Sequence, residues 1–157
     1  MISLLPASRR SKVRVLLGYD PAEAGGLMST DFLCMYQNAL VEEAWERLRQ
    51  SPISADLITS VFVMDTARRL KGSLPLAELI RAKPDAQLVE LVARDTPRLV
   101  ADAEFEEVAR LMADFNLTSA PVVDAEMRMI GVITVDDVLE VMLPKGWQRR
   151  FGLFGDS

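Results

Sequence analysis

The chain has 157 residues, of which 50% are hydrophobic and 26% are charged, a balance typical of one globular domain or two small ones. Its 18 basic and 23 acidic side chains give a net charge of -5, which argues against nucleic acid as a partner because phosphate binding needs a basic surface. With no histidine and a single cysteine, Cys34, an internal disulfide framework, a Cys-x-x-Cys metal site and histidine-based catalysis are excluded. No apolar run approaches the roughly 20 residues that span a bilayer, so we expect a soluble, cytoplasmic protein.

The first predicted elements are a short helix over residues 11–17, a strand over 33–36 and an amphipathic helix over 41–49. Strands over 60–65 and 70–74 and a helix over 76–81 follow in order. A break at residues 82–85, which contains Pro84, separates these elements from the rest of the chain.

The same order of elements returns in the second part of the chain. The predicted elements are strands at 98–100, 120–124 and 129–134, and helices at 104–115 and 135–142. Asp102 is the expected N-cap of the first of these helices, with Glu106 close behind it. The continuous apolar runs at 62–64 and 121–123 predict strands that are buried on both faces.

This recurrence is an internal repeat at the level of single residues. A shift of 59 positions carries Arg69 to Arg128 and Gly72 to Gly131. The preceding helix repeats at a shift of 64, which indicates a five-residue insertion in the first copy around residues 51–56. We therefore predict an α/β (α+β) fold made of two β-α-β-β-α units in a pseudo-twofold arrangement, preceded by a short helical segment.

The second copy resembles a known family. Residues 131–138 read Gly-Val-Ile-Thr-Val-Asp-Asp-Val, and residues 118–124 read Thr-Ser-Ala-Pro-Val-Val-Asp. Both stretches resemble cystathionine-β-synthase (CBS) domains, so the repeat is similar to a tandem CBS pair, or Bateman module. Residues 19–29 and 4–6 further resemble the junction and the last helical turns that precede the CBS pair in MgtE-type magnesium transporters.

That resemblance implies four segments. They are a helical segment at 1–26, a first CBS motif at 27–84, a second at 85–143 and a basic, aromatic tail at 144–157. The chain is then either a fragment of a transporter or a soluble relative without a membrane domain, and the tail, which contains Trp147 and Arg149, favours the relative. Contact with a membrane is expected only indirectly, as part of a transporter.

The resemblance implies a nucleotide site in the second copy. Thr134 stands where a strand meets the N-terminus of a helix, a position that suits a phosphate, and Asp137 can accept hydrogen bonds from ribose hydroxyls. Apolar residues of the neighbouring strand, Ala120 and Val122, would contact the base. The alternative is that Thr134 and Asp137 only cap the helix.

The first copy has lost most of this pattern. Pro75 takes the place of the serine or threonine and offers neither a hydroxyl nor an N–H. The ATP-binding half of the transporters has an aromatic residue at the position of Ser60, a basic one at Ala77 and an acid at Glu78, and only the acid remains here. ATP binding of that kind is not expected in the first copy.

The resemblance also implies weak magnesium ligands. The matching positions are Glu104, Glu106, Asn116 and Asp137, three of which are acidic. Mg²⁺ prefers oxygen ligands, but acids in the first turn of a helix are also stabilising without a metal.

Three functions remain from these observations. The leading one is a regulatory module that senses an adenine nucleotide (AMP or ATP) or Mg²⁺ and is linked to magnesium transport. The alternative is a ligand-free scaffold that dimerises. An enzyme is disfavoured because no nucleophile–base set or phosphate loop is present. In either favoured case we expect a homodimer, formed through apolar helix faces such as the one carrying Val108, Leu111 and Met112.

Overall fold

The computed structural model describes residues 20, 22–93 and 95–143. The predicted helix at 11–17 and the basic, aromatic tail lie outside the described residues. The first repeat contains β1 (Cys34–Tyr36), α2 (Val41–Gln50), β2 (Ser60–Met64), β3 (Leu70–Pro75) and α3 (Leu76–Arg81), after a short helix α1 (Ala24–Leu27). The second repeat contains β4 (Leu99–Val100), α4 (Phe105–Asp114), β5 (Ser119–Val123), β6 (Met129–Thr134) and α5 (Val135–Met142). Single 3-10 turns occupy Ala55–Leu57 and Leu88–Glu90.

The predicted mixed α/β fold with the element order β-α-β-β-α in each repeat is therefore confirmed, with boundaries shifted by at most one residue. Each repeat contributes one three-stranded sheet, in the strand orders β1-β2-β3 and β4-β5-β6. In the first sheet β1 and β2 are parallel, with Cys34 opposite Phe62, whereas β2 and β3 are antiparallel, with Ser60 opposite Pro75. Parallel pairing of β1 and β2 is possible because α2 lies between them in sequence and forms the crossover.

The central strands are the most buried, as their apolar runs predict. Phe62 and Val63 of β2 are 2% and 0% exposed, and Pro121, Val122 and Val123 of β5 are all buried. Met64, at the end of β2, is only partly buried, since the chain leaves the sheet there for a turn. Strands of this kind need both faces covered, and the apolar faces of the helices supply that cover.

The helices begin and end where their sequences favour it. Glu42 and Glu43 lie in the first turn of α2 and Arg47 and Arg49 in its last, which complements the helix dipole. The expected N-cap of α4 was wrong: Glu104 holds that position, and Asp102 lies in the turn before it. The chain turns at Ala101 and Asp102 and buries Ala103, and the N-cap therefore lies two residues later than expected.

The chain divides into two compact units that do not follow the order of the sequence. One, called here the Thr134 unit, contains the described residues up to Asp31, Pro97–Val122 and those from Ile130 onward. The other, called the Arg69 unit, contains Phe32–Thr96 and Val123–Met129. Each repeat therefore contributes a short segment to the unit that is built mainly from the other repeat, which we call the exchange of segments.

Each unit has its own apolar core. The core of the Thr134 unit includes Leu27, Met28, Val108, Ile133 and Val138. The core of the Arg69 unit includes Leu33, Val41, Val61, Leu74 and Leu88. Across the part of the chain that the structure describes, no helix is long and apolar enough to cross a bilayer.

In each unit a glycine packs closely against a segment from the other repeat: Gly131 against Met28, and Gly72 against Ala93 and Thr96. A methyl group at Gly131 would lie 2.7 Å from Met28 Cγ and 2.9 Å from Met28 Cβ, and one at Gly72 would lie 2.8 Å from Thr96 Oγ1 and 3.0 Å from the Ala93 carbonyl oxygen. Backbone hydrogen bonds between Ser29 and Val132, of 2.7 and 2.9 Å, hold the segment in the Thr134 unit. The absence of a side chain at these two positions is therefore a packing requirement.

Candidate ligand-binding site

Thr134 and Asp137 meet at the N-terminus of α5. Thr134 is the last residue of β6 and the N-cap of the helix, with an extended backbone at φ -95° and ψ 159°. Its Oγ1 accepts a hydrogen bond from the Asp137 N–H at 3.4 Å and donates one to Asp137 Oδ2 at 3.1 Å. The Thr134 N–H also donates to Asp137 Oδ2, at 3.3 Å, so the two residues form a reciprocal capping box.

This geometry shows capping directly and leaves room for a ligand. Both side chains are partly exposed, and the capping box uses only one carboxylate oxygen of Asp137. Among the described residues Asp137 Oδ1 has no hydrogen-bond partner, so it can accept hydroxyl donors from a bound molecule. The two roles considered from sequence, cap and ligand-binding pair, are thus compatible.

The structure places the two predicted base contacts in the core. Ala120 and Val122 of β5 are each 0% exposed and belong to the same core as Ile133. Their side chains are enclosed in the interior of the Thr134 unit, so a base could contact them only after local rearrangement. Their role at a nucleotide site stays a prediction.

The predicted magnesium ligands occupy the ends of two helices. Glu104 is the exposed N-cap of α4, without a side-chain capping bond, and Glu106 is exposed in its first turn. Asp137 is engaged in the capping box of α5, and Asn116 follows the end of α4 in a left-handed conformation at φ 52°. Within the described ranges no three acidic, cysteine or histidine side chains form a cluster that could hold a metal ion. The metal assignment therefore stays a prediction.

The equivalent place in the first repeat lacks the polar pair. Pro75 is the N-cap of α3 and makes no side-chain capping bond, and Glu78 is exposed in the first turn of that helix. Ala77 is exposed and carries no charge. The one cysteine, Cys34, lies partly buried in β1, where burial raises the pKa of its thiol to about 11, so it is a poor nucleophile and a poor metal ligand at neutral pH.

The Arg69 unit contains a duplicated turn whose aspartate–arginine contacts were not predicted from the sequence. Asp65 Oδ1 accepts from the Ala67 and Arg69 N–H groups at 2.9 Å, and Asp65 Oδ2 accepts from Arg69 Nε at 2.9 Å. Asp124 Oδ1 does the same for Glu126 and Arg128 at 2.9 Å, and its Oδ2 lies 3.3 Å from Arg128 Nε. The spacing Asp-x-x-x-Arg at 65–69 and at 124–128 is the signal that could have revealed it.

The two turns share further details. Arg68 and Met127 both adopt the left-handed conformation at φ 67°. Hydrogen bonds from backbone N–H groups, foremost that of the arginine in each turn, lower the pKa of Asp65 and Asp124 below the ordinary value of 3.8. Arg69 and Arg128 are paired as an antiparallel backbone bridge, and beside them lies a shallow cavity of about 270 Å³ lined by Ala67, Arg69, Glu126 and Arg128.

The repeats match a known family. The model of the CBS domain matches residues 24–85 and again residues 89–144. These matches contain the Thr134–Asp137 capping box, the closely packed glycines Gly72 and Gly131, and both Asp–Arg turns.

Curated relatives with the same sequence pattern are magnesium transporters. The magnesium transporter MgtE of Thermus thermophilus is 41% identical over 139 residues, which is 88% of this chain and 31% of that protein. The magnesium transporter MgtE of Bacillus subtilis is 29% identical over 144 residues, 90% of this chain and 32% of that protein. The chain thus spans about a third of the length of these relatives.

Solved structures agree with this assignment. The cytosolic domain of the Mg²⁺ channel MgtE in complex with ATP is 41% identical and superposes with a TM-score of 0.77, covering 89% of this chain and 56% of that chain. The soluble part of a magnesium transporter is 28% identical with a TM-score of 0.76, covering 90% of this chain and 55% of that chain. The chain therefore belongs to the CBS-domain family, as a CBS pair homologous to the cytosolic region of MgtE magnesium transporters.

Proposed function

We propose that the chain is a regulatory CBS-pair module that binds an adenine nucleotide at the Thr134–Asp137 site and so controls MgtE-like magnesium transport. The observation that supports it most is the partly exposed capping box, in which Asp137 Oδ1 has no partner among the described residues. A relative with 41% identity was crystallised with ATP. The module is proposed to act in the cytoplasm and to reach a membrane only through a transporter.

The physical case is that one short segment offers two kinds of contact. At the start of α5 the Val135 N–H donates to the Thr118 carbonyl oxygen at 3.0 Å and the Asp137 N–H donates to Thr134 Oγ1 at 3.4 Å. A phosphate would therefore contact the Asp136 N–H and the hydroxyl of Thr134, although the charges of Asp136 and Asp137 reduce the attraction. Asp137 Oδ1 would accept from ribose hydroxyls while Oδ2 keeps its bonds to Thr134. Charge-assisted hydrogen bonds of this type are roughly twice as strong as neutral ones.

The same reasoning limits binding to one repeat. The start of α3 has no hydroxyl at Pro75 and no positive charge at Ala77, so the first repeat offers a phosphate little beyond its backbone. We therefore propose one nucleotide per chain, held by residues of the second repeat.

A pair of matched substitutions tests this proposal. Asp137→Ala removes the ribose acceptor, and a charged hydrogen bond contributes roughly 1.5–3 kcal/mol, so affinity for ATP or AMP falls about ten- to a hundredfold. Glu78→Ala, at the equivalent position of the first repeat, leaves affinity unchanged. Isothermal titration calorimetry at a temperature where both variants are folded gives the comparison. Unchanged affinity in Asp137→Ala, together with a loss in Glu78→Ala, would place the site in the first repeat.

Magnesium is proposed as a weak second ligand. Glu104 and Glu106 project from the start of α4, and Asp137 lies at the start of α5, but the described residues contain no cluster of three ligands. Sparse surface carboxylates of this kind bind divalent cations in about the millimolar range. Calorimetry at low ionic strength would show this weak binding, and a specific micromolar site would contradict it.

A homodimer is also proposed, through a different face from the one expected from sequence. Val108 and Met112 are 0% and 4% exposed and form part of the core, so they are not available to a second chain. The exposed large apolar residues described in the same unit include Val100 of β4, Phe115 after α4, and Val135, Leu139, Val141 and Met142 of α5, and the four on α5 form the proposed patch. Covering such a patch with a second copy removes apolar area from water.

Light scattering at high micromolar concentration tests the dimer. Leu139→Asp places a charge in the centre of this patch and should shift the mass to that of a monomer. Lys71→Glu, an exposed substitution on β3 in the other unit, should leave the mass unchanged. If the wild-type chain is strictly monomeric, the dimer proposal fails, whereas nucleotide binding is unaffected. A dimer that binds no nucleotide would instead support the alternative function, a ligand-free scaffold.

A further inference from the structure

The cavity beside the duplicated turns has the features of an anion site. It is lined by Ala67, Arg69, Glu126 and Arg128, all of which belong to the Arg69 unit. We propose that it binds a small anion with two acidic groups, of the diphosphate class, one group on each arginine. This site shares no residue with the Thr134–Asp137 site, and its proposal does not depend on nucleotide binding there.

The backbone brings the two arginines together. Arg69 and Arg128 are partners in an antiparallel bridge, and the neighbouring Leu70 N–H donates to the Met127 carbonyl oxygen at 2.8 Å. Like charges directly opposite each other in an antiparallel pair are destabilising. Asp65 and Asp124 already offset part of this repulsion, and an anion that contacts both guanidinium groups would offset more of it.

Each guanidinium group keeps donors that its own turn does not use. Asp65 contacts Arg69 through Nε alone, so among the described residues the two terminal nitrogens of Arg69 have no partner. Asp124 likewise contacts Nε of Arg128, at 3.3 Å. Because Nε is held by the aspartate, each side chain is oriented. The two terminal nitrogens of Arg69 remain available for a bidentate contact with an anion, whereas one terminal nitrogen of Arg128 is shared with Glu126.

Glu126 is the competitor at this site. Its Oε2 lies 3.3 Å from a terminal nitrogen of Arg128, and the two side chains are 65% and 48% exposed. Exposed ion pairs of this kind contribute little to stability, typically below about 1 kcal/mol. An anion with two acidic groups can therefore displace Glu126, and removing the Glu126 charge should strengthen binding.

The size of the cavity limits the ligand. Its volume of about 270 Å³ is below the range of roughly 300–1,000 Å³ usual for drug-sized ligands. The space fits two linked phosphate groups better than a whole nucleotide. Because the backbones of the two arginines are paired, a linked pair of acidic groups can contact both side chains, which a single monoanion does less well.

Calorimetric titration with inorganic pyrophosphate, at low ionic strength and without divalent cations, tests the proposal. We expect one site per chain, about tenfold weaker binding in Arg69→Gln and in Arg128→Gln, and an intermediate loss in Arg69→Lys, which keeps the charge but not the fork. Glu126→Gln should bind several-fold more tightly, because it removes a competing charge. Arg110→Gln, on the exposed side of α4 in the other unit, is the matched control and should bind like the wild type.

Several results would overturn the proposal. No binding up to about 10 mM, a concentration at which even a weak specific site is occupied, is one. Equal affinity in the wild type and in Glu126→Gln is another, and it remains informative if an arginine variant is unstable. Loss of pyrophosphate binding in Asp137→Ala, with the arginine variants unaffected, would place the anion at the N-terminus of α5 instead.

Discussion

The two repeats start their last helices in different ways. In the second repeat Thr134 and Asp137 cap α5 through three hydrogen bonds between their side chains and backbones. In the first repeat Pro75 occupies the N-cap of α3 with no side-chain bond at all. Since α3 forms nonetheless, the fold does not require the polar pair at this place. The second repeat has in addition a hydroxyl and a carboxylate, those of Thr134 and Asp137, at the partly exposed N-terminus of α5.

Other features are the same in both repeats and so mark what the fold does require. Each repeat has a closely packed glycine, Gly72 in the first and Gly131 in the second. Each repeat also has a turn in which an aspartate pairs with the arginine four residues later. The glycines and the Asp–Arg turns are thus duplicated, whereas the Thr134–Asp137 pair is present once.

The largest effect is expected at the two glycines. Gly131→Ala would place a methyl group 2.9 Å from Met28 Cβ, and Gly72→Ala would place one 3.0 Å from the Ala93 carbonyl oxygen. Overpacking of this kind lowers the free energy of unfolding by about 1–3 kcal/mol. Urea unfolding followed by circular dichroism measures it, with the exposed Lys71→Ala as control. If only one of the two substitutions lowers the free energy of unfolding, the packing around Gly72 and Gly131 is not equivalent.

The capping box should contribute less. Thr134→Ala removes the oxygen that accepts from the Asp137 N–H, and loss of such a cap lowers the free energy of unfolding by about 1 kcal/mol. Pro75→Ala in the first repeat removes no hydrogen bond and should change stability less than Thr134→Ala does. The same urea experiment applies to both. Equal losses in the two variants would remove the structural difference between the repeats.

The duplicated aspartates should make stability depend on acid. Their pKa values are lowered in the folded protein, so their stabilising effect is full above the ordinary value of 3.8 and is lost as the pH falls through the lowered value. Asp65→Asn and Asp124→Asn should therefore be less stable than the wild type at pH 7, with a difference that shrinks toward pH 3. Urea unfolding at a series of pH values measures this. A difference that is independent of pH would show that the carboxylate charge is not the cause.

The smallest effect is expected when the first repeat is given the missing hydroxyl. Pro75→Thr would stand three residues before Glu78, the spacing of a capping box, which stabilises a helix start by up to about 1 kcal/mol. Loss of proline, however, increases the entropy of the unfolded chain by a similar free energy. The net change should stay within about 0.5 kcal/mol, and a gain well beyond that would show that proline strains α3.

Much of the fold could be predicted because pattern and structure agree locally. The apolar runs of β2 and β5 and the spacing of apolar residues in α2 and α4 each indicate one kind of element. The exchange of segments between the repeats could not be predicted, because it depends on contacts between residues far apart in sequence, such as Ser29 and Val132. For the same reason the pairing of Arg69 with Arg128 became visible only in the structure.

The exchange of segments also has a consequence for synthesis on the ribosome. The Thr134 unit joins Ser29 to Val132, so this unit cannot close until almost all of the described chain has been made. Closing so large a loop slows folding, because its entropy must be lost before the new contacts form. Chains released early would expose unpaired strand edges and apolar surface, which favours aggregation. A nascent chain can thus present Thr134 and Asp137 on a folded unit only after β6 and α5 have been synthesised.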